Sequence, residues 1–289
     1  MAKILVTGAT GGLGRQTLDR LLERIPASQV AALAREPAKL ADFAERGVDV
    51  RHGDYLDKSS LEAALQGIER LFFISAPSFT DMVGQHRNVI DAACAAGVAH
   101  IVYTGIQRRA GSDVIVDQVT VTEIATERFL DASGISYTIL RNATYMDALP
   151  LLLGPNALTE IRLPAGQGAC TFVARRDLAE ANAVVLTTEG HEGKVYTLTG
   201  AVAVTMNDIA ALLSQIAGRP VLYTDLPVSN FVAELGTAGV PEPVGVFLAS
   251  WMEAIAAGEF SQASSDLEML LGRPAVLPSE MLPDLFTKV

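Results

Sequence analysis

Short, nearly continuous apolar runs recur along the first half of the chain and alternate with stretches of helical periodicity. Such runs are typical of strands in a parallel sheet, because helices cover both of its faces. The alternation therefore predicts an α/β fold, a doubly wound parallel Rossmann sheet with right-handed crossovers. The predicted strands span residues 3–7, 29–34, 48–51, 71–74, 100–104 and 136–140.

A glycine-rich segment lies where the first predicted strand passes into the first predicted helix. Gly8, Gly11 and Gly14 each meet a separate steric demand: a tight turn, close backbone approach to a pyrophosphate, and close packing of helix on strand. The N–H groups at the helix start would face the phosphates, and the helix dipole favours their negative charge. An ordinary glycine loop is the alternative, but the flanking strand and helix favour a dinucleotide site.

The end of the second predicted strand indicates which dinucleotide is bound. At this position Asp or Glu accepts a hydrogen bond from the ribose 2′-hydroxyl, whereas Arg pairs with a 2′-phosphate. Arg35 stands there, with Lys39 one helical turn later and Glu36 between them. These residues favour NADPH over NADH, and a solvated charge at a helix start is the alternative for Arg35.

The pattern changes after Arg141. Residues 151–168 are rich in Gly and Pro, Asp177 is placed to cap the helix that follows, and Thr205 with Asp208 resembles a capping box. We expect a nucleotide-binding domain over residues 1–145 and a smaller, mostly helical lobe over residues 146–289. This lobe would cover the substrate, interleave with the first domain and share its cleft. The helices predicted along the chain cover residues 15–23, 82–96, 119–132, 178–186, 209–216, 229–235, 244–256 and 264–271. A further strand is predicted at 196–199, and a further helix begins near Leu61 and is capped by Ser59 or Ser60.

Composition narrows the functional class. The 289 residues are 49% hydrophobic and 19% charged, and the formal net charge is −11. A nucleic-acid partner needs a basic surface, so none is expected. We expect no membrane partner and a cytoplasmic location, because no apolar stretch has the length of a membrane span or the form of a secretory signal. Cys94, Cys170 and the four histidines are dispersed, which predicts two buried free thiols and no metal site.

Further motifs are spread along the chain at residues 51–55, 73–77, 140–145, 240–243 and 264–267. Together with residues 7–14 and the strand end at Arg35, they resemble the NmrA-like branch of the atypical short-chain dehydrogenases. Within that branch they are most similar to the NAD(P)H:quinone oxidoreductase and triphenylmethane reductase group. The resemblance covers almost the whole chain, and its more discriminating part is Arg141-Asn142-x-x-Tyr145 after the sixth strand.

The resemblance implies an NADP(H) cofactor held across the strand ends, with a flat conjugated acceptor over the nicotinamide. The glycine segment would hold the pyrophosphate and Arg35 the 2′-phosphate, while Asp54 and Tyr55 would lie by the adenine. Residues 75–77 would lie by the ribose and nicotinamide, and Asn142 and Tyr145 would line the nicotinamide and substrate end. A loop cap is the alternative for Asp54, and a core aromatic residue is the alternative for Tyr145. The full set of expected cofactor-binding residues is Gly8, Thr10, Gly11, Gly12, Leu13, Gly14, Arg35, Lys39, Asp54, Tyr55, Ser75, Ala76, Pro77, Thr104, Asn142 and Tyr145.

The chain departs from the wider superfamily at the catalytic pair. Most short-chain dehydrogenases carry Tyr-x-x-x-Lys on the helix after the fifth strand, whereas Glu123 and Glu127 align with those places here. A buried Glu123 could donate a proton. A solvated acidic helix face, or a carboxylate that binds backbone N–H groups, is the alternative. In either case alcohol oxidation and sugar-nucleotide epimerisation lose their usual base.

Two functions are therefore open from the sequence. The first is an NADPH-dependent oxidoreductase that positions a quinone or triphenylmethane-type dye for hydride transfer, with Tyr145 and Glu123 as candidate proton donors. The second is an NADP(H)-binding redox sensor of the NmrA type without turnover, which needs different affinities for the oxidised and reduced cofactor. The expected partners are a small conjugated acceptor and, as one option, a second copy of the chain in a homodimer.

Overall fold

The structure, a computed structural model, describes residues 3–75 and 80–287. The strands in these residues are β1 (Ile4–Val6), β2 (Val30–Ala34), β3 (Asp49–His52), β4 (Arg70–Ile74), β5 (His100–Ile106), β6 (Ser136–Asn142), β7 (Glu160–Leu163), β8 (Ala169–Cys170), β9 (Val195–Leu198), β10 (Val204–Thr205) and β11 (Leu222–Asp225). The helices are α1 (Gly12–Leu22), α2 (Ala41–Glu45), α3 (Lys58–Ala64), α4 (Met82–Ala96), α5 (Val119–Ser133), α6 (Leu149–Leu153), α7 (Arg175–Thr187), α8 (Met206–Ala217), α9 (Val228–Thr237), α10 (Glu242–Ala256), α11 (Asp266–Leu271) and α12 (Pro278–Phe286).

A seven-stranded sheet in the order β3-β2-β1-β4-β5-β6-β9 forms the centre of the Rossmann-like fold. The neighbours from β3 to β5 pair in parallel, with Leu5 of β1 opposite Ala31 of β2 and Leu71 of β4. Every residue of β1 and β2 is buried. Burial on both faces explains why these strands are continuous apolar runs rather than alternating ones. The predicted fold class is confirmed.

The strand order reverses direction at β1. From β1 the chain moves outward to β2 and β3, and then crosses back so that β4 pairs with the other side of β1. In open α/β sheets, ligands bind outside the carboxyl ends of the strands at this kind of switch point. The carboxyl ends of β1 and β4 therefore lie where a ligand is expected.

The chain forms two compact units. The first contains Met1–Gly105, Val121–Arg141 and Arg175–Tyr196, and the second contains Ile106–Thr120, Asn142–Ala174 and Thr197–Val289. The first unit has a buried apolar cluster that includes Leu5, Phe73 and Tyr103. The second unit has its own, which includes Met146, Phe172 and Met252.

Several local predictions were wrong. Asp57, not Ser59 or Ser60, caps α3, because its carboxylate accepts hydrogen bonds from both serine N–H groups. Asp177 is not a cap either, since α7 already begins at Arg175 and buries Asp177 in its first turn.

The second unit also contains more strand than expected. Strand β8 pairs with β10, and β7 pairs with β11, in two small sheets. One strand of each sheet lies within or directly after the glycine- and proline-rich stretch over residues 151–168. These strands are only two to four residues long, which is too short for a hydrophobic pattern to predict them. The capping box of Thr205 and Asp208 at the start of α8 is confirmed.

The two cysteines differ in their surroundings. Cys170 is a buried free thiol as predicted, but Cys94 is exposed. Cys94 is wrongly predicted because α4 turns Val89, Ile90 and Ala93 toward the core and leaves position 94 on its outer face. Within the described residues, no helix combines the length and apolar character needed to cross a bilayer.

Candidate functional site

The chain turns between β1 and α1 through a glycine in the left-handed region. Gly8 has φ +57°, which a residue with a side chain adopts only at a cost. Its carbonyl accepts a hydrogen bond from the Gly11 N–H at 3.0 Å, which closes the turn. Thr10, Gly11 and Gly12 are exposed. This face of the turn is therefore open to a ligand.

Gly14 lies where α1 packs closest to the end of the strand. A Cβ atom at this position would stand 2.3 Å from the Gly8 carbonyl oxygen and 2.8 Å from the Ala9 Cα. Both are backbone atoms and cannot rotate away. The neighbouring Leu13 side chain is buried and holds the first turn of the helix in place.

The start of α1 suits an anion. Gly11 is its N-cap and provides no side-chain hydrogen bond, and the first turn contains no acidic residue. The first N–H groups of a helix lack intrahelical partners and carry partial positive charge. A phosphate placed here would accept hydrogen bonds from these groups.

Cationic side chains cluster where β2 ends. Arg35 is exposed, and Lys39 binds the Glu36 carboxylate at 2.7 Å. The hydrogen bond and charge of Lys39, with a smaller contribution from Arg35, lower the pKa of Glu36. Arg15 of α1 also reaches this region and donates to the Lys39 carbonyl at 3.2 Å. The glycine turn and the strand end at Arg35 thus lie on adjacent parts of one surface.

Asp54 and Tyr55 follow β3 and are held by the chain itself. The Asp54 carboxylate accepts a hydrogen bond from the Leu56 N–H at 3.0 Å, so the residue does cap its own loop. The Tyr55 hydroxyl donates to Thr7 Oγ1 at 2.5 Å, and the Ile74 carbonyl lies 3.0 Å away. Burial raises the pKa of Tyr55, so the ring stays a neutral phenol. Tyr55 therefore ties the ends of β1, β3 and β4 together.

A buried polar cluster lies at the ends of β4 and β5. The Tyr103 hydroxyl donates to Glu123 Oε1 at 2.8 Å, and both residues are buried. The same hydroxyl contacts the side chains of Thr126 and Ser75. Burial and the Glu123 charge raise the pKa of Tyr103 well above its usual range. The alternative of a solvated face is thus wrong for Glu123, whose carboxyl is enclosed beside a phenol.

Four predicted cofactor-binding residues, Ser75, Ala76, Pro77 and Thr104, belong to β5 or to the segment after β4 in the sequence. The Ser75 N–H donates to Thr104 Oγ1 at 2.9 Å, which joins two predicted cofactor residues. Ala76 and Pro77 lie outside the described residues. Glu127 has a different setting from Glu123, because Arg141 binds its carboxylate at 2.9 Å.

His86 is buried against this cluster in its neutral form. Its Nδ1 lies 2.8 Å from Thr126 Oγ1, which itself donates to the Thr122 carbonyl, so Nδ1 carries the proton. Nε2 has no hydrogen-bond partner among the described residues. The rings of Phe73 and Tyr103 flank the imidazole. Burial lowers the pKa of His86 to about 4.

We expect this histidine to make folding stability fall in acid. Its pKa is lower in the folded chain than in the unfolded chain, so its contribution is complete above pH 6.5 and is lost as pH falls toward 4. The whole interval corresponds to a loss of about 3 kcal/mol in the free energy of unfolding. Urea denaturation at a series of pH values would measure it.

His86→Gln should flatten this pH dependence, because it removes the buried imidazole. His100 and His191 act in the same direction, because burial lowers the pKa of both. The informative quantity is therefore the difference between wild type and His86→Gln. Identical slopes for the two proteins would contradict the assignment.

The last residue of β6, Asn142, and the segment after it belong to the second unit. Asn142 is buried and donates from Nδ2 to the Tyr145 hydroxyl at 3.3 Å, while its Oδ1 has no hydrogen-bond partner among the described residues. A buried carbonyl oxygen without a donor is costly, so this atom suits a donor on a bound molecule. Trp251 Nε1 donates to Thr144 Oγ1 at 3.1 Å, and its ring stacks on Phe260.

The sequence analysis did not identify three residues that lie beside the predicted ones: Tyr103 binds Glu123, the Arg175 side chain lies near Gly12, and Trp251 binds Thr144. Tyr103 lies in an apolar run that predicts only a buried strand, and Trp251 is far from Thr144 in the sequence. Arg175 is the first residue of α7, where the helix dipole disfavours a cation. A cation at such an unfavourable position suggests that its side chain has another role. This is the signal by which the sequence could have indicated Arg175 as a candidate residue.

The family follows from comparison of the sequence with known proteins. Residues 1–271 match the model of the NmrA-like family. The chain belongs to the NmrA-like family. The resemblance expected from the short motifs is thereby confirmed along nearly the full length.

Two reductases are similar to the chain over almost all of its length. Quinone oxidoreductase 2 of Escherichia coli is 39% identical over 286 residues, 98% of each chain. The crystal structure of the NADPH-dependent quinone oxidoreductase of E. coli with NADPH has a TM-score of 0.90 and 38% identity, covering 98% of this chain and 99% of that one. The Citrobacter sp. triphenylmethane reductase complexed with NADP(H) has a TM-score of 0.88 and 37% identity, covering 97% and 99%.

Proposed function

We propose that this chain is an NADPH-dependent oxidoreductase that transfers hydride to a conjugated acceptor such as a quinone or a triphenylmethane-type dye. The observation that carries the proposal is similarity over nearly the whole chain to a quinone oxidoreductase and a triphenylmethane reductase, both with structures containing NADP(H). A match confined to the glycine turn would support only nucleotide binding.

The residues present fit an NADP(H) cofactor. Exposed backbone at Thr10 to Gly12 and an uncapped helix start suit the pyrophosphate, and exposed Arg35 suits the 2′-phosphate. Lys39 is already engaged by Glu36, which makes Arg35 the principal reader of the 2′-phosphate in this proposal.

A reduced nicotinamide, when bound, supplies a hydride from its C4 atom. The protein itself then has to bind and orient the cofactor and the acceptor and to exclude water from them. The Tyr that transfers a proton in most short-chain dehydrogenases and the Lys that lowers its pKa are replaced by Glu123 and Glu127, and Arg141 engages the second of these. A conjugated acceptor tolerates this replacement, because its own electrons delocalise the arriving charge. The departure thus favours quinones and cationic dyes over alcohols.

Turnover tests the proposal directly. Purified protein is mixed anaerobically with NADPH and, in turn, with a panel of quinones and triphenylmethane dyes, and loss of NADPH absorbance is followed. We expect oxidation well above the rate without protein. Absence of turnover with every acceptor would contradict the proposed activity.

Cofactor binding is measured separately, so that a sensor can be distinguished from an enzyme. Trp251 is the single tryptophan, and its fluorescence provides a titration signal for NADPH and NADP⁺. Tight binding without turnover, with different affinities for the two forms, would favour the redox sensor. The cytoplasmic location and the homodimer stay predictions, which cell fractionation and light scattering would check.

A comparison of quinone reduction with dye reduction tests whether a side chain of the protein donates a proton. A cationic dye becomes neutral on receiving a hydride, whereas a quinone also needs a proton. We expect Tyr145→Phe to lower the kcat of quinone reduction by about tenfold, below the usual contribution of a general acid, and to spare dye reduction.

Glu123→Gln is the second arm of this comparison. The amide oxygen can still accept the Tyr103 hydrogen bond, so the substitution removes the titratable group with little change in packing. If Glu123→Gln also slowed quinone reduction and left dye reduction unchanged, Glu123 would be assigned as a proton donor. Unchanged quinone turnover in both variants would show that solvent supplies the proton.

A further inference from the structure

The side chain of Arg175 lies over the glycine turn. A Cβ atom on Gly12 would stand 3.3 Å from Arg175 Nη1, 3.6 Å from its Cδ and 3.7 Å from its Cζ. The guanidinium and its aliphatic stem therefore follow the Gly12 backbone, in space that a side chain at position 12 would occupy. The two residues are far apart in sequence but belong to the same unit.

Helix α7 holds Arg175 in this place. Asn182 of α7 donates to Thr17 Oγ1 of α1 at 3.1 Å, and both residues are fully buried. This bond joins the two helices two turns after Arg175, where solvent cannot compete for it. Arg175 thus extends from a fixed helix start rather than from a loop.

We propose that Arg175 binds the pyrophosphate of the dinucleotide together with the N–H groups of the glycine turn. This inference rests on the proposed function, since it names a further binding residue of the same site. A guanidinium forms paired, charge-assisted hydrogen bonds with phosphate oxygens, which backbone amides alone do not supply. It also counters the repulsion that a chain of net charge −11 exerts on an anionic ligand.

Arg175 and Arg35 then have separable tasks. The 2′-phosphate is present in NADPH and absent from NADH, whereas the pyrophosphate is common to both. Loss of Arg35 should weaken NADPH alone. Loss of Arg175 should weaken both coenzymes by the same factor.

The test compares Arg175→Met with wild type in titrations with NADPH and NADH. Methionine keeps an unbranched apolar stem against Gly12 and removes the charge. We expect the Kd of both coenzymes to rise by about 10- to 100-fold, as for loss of hydrogen bonds to a charged group. Arg175→Lys should recover part of this loss, because it restores the charge without the paired geometry.

Arg176→Met is the matched control. Arg176 is the next residue of α7, is exposed, and faces a groove lined by Asp19, Arg46 and other residues. Its substitution should leave both Kd values unchanged. Far-UV circular dichroism and melting curves of the variants would show that each is folded.

Two results would overturn the inference: a Kd for Arg175→Met within twofold of wild type, or a loss confined to NADPH. Failure of the proposed function has a different signature, because wild type itself would then bind neither coenzyme. Inorganic pyrophosphate gives a further readout that does not depend on turnover. It should compete with NADPH for wild type and compete more weakly for Arg175→Met.

Discussion

Gly14→Ala is expected to abolish tight NADPH binding and to destabilise the fold. The added Cβ would stand 2.3 Å from the Gly8 carbonyl oxygen and 2.8 Å from the Ala9 Cα, well inside van der Waals contact. Neither backbone atom can move without displacing the end of β1 or the start of α1. Overpacking of this kind costs roughly 1–3 kcal/mol or more in the free energy of unfolding.

Binding should suffer more than stability. Helix α1 can relieve the clash only by moving away from the strand, and its first N–H groups then leave the position that faces the phosphates. We expect the NADPH affinity to fall by more than about 100-fold, since several charge-assisted hydrogen bonds are lost together. Calorimetric titration and thermal melting would measure the two effects on one preparation.

Gly11→Ala provides the matched comparison. Its Cβ would lie 3.3 Å from the Gly8 carbonyl oxygen, a tight contact that a small shift relieves. Gly11 is exposed on the open face of the turn, so its methyl group would obstruct the phosphate rather than the fold. Weaker binding with a nearly unchanged melting temperature is expected. If Gly14→Ala gave this same result, close packing would not be the reason for glycine at position 14.

The second large effect concerns coenzyme choice. Arg35→Ala should raise the Kd of NADPH by about 10- to 100-fold, because a hydrogen bond to a charged group contributes roughly 1.5–3 kcal/mol. The Kd of NADH should stay the same. Titration of one protein preparation with both coenzymes would measure the ratio.

Lys39→Ala is a suitable control for Arg35. Lys39 is bound to Glu36, so part of its charge is already neutralised before any ligand arrives. We expect a smaller loss of NADPH affinity than for Arg35→Ala. Equal losses of NADPH and NADH in Arg35→Ala would show that another residue reads the 2′-phosphate.

The contrast between Glu123 and Glu127 shows where sequence reasoning reached its limit. Helical spacing places both carboxylates on one face, which is a local property. Their surroundings come from other elements: β5 supplies Tyr103 to Glu123, and β6 supplies Arg141 to Glu127. One carboxyl is therefore buried beside a phenol and the other is in an ion pair, although their local sequence is similar.

The sequence by itself determined the alternation of strands and helices from β1 to β6, the glycine turn, the cation at the end of β2 and the family. These features depend on short-range periodicity, backbone sterics and residue type, all of which are read within one segment. Only the tertiary structure decided that Arg175 lies on Gly12, that Asn142 Oδ1 is buried with no donor among the described residues, and that Cys94 is exposed. The reason is that these properties depend on which distant segments pack together, and no local pattern encodes that.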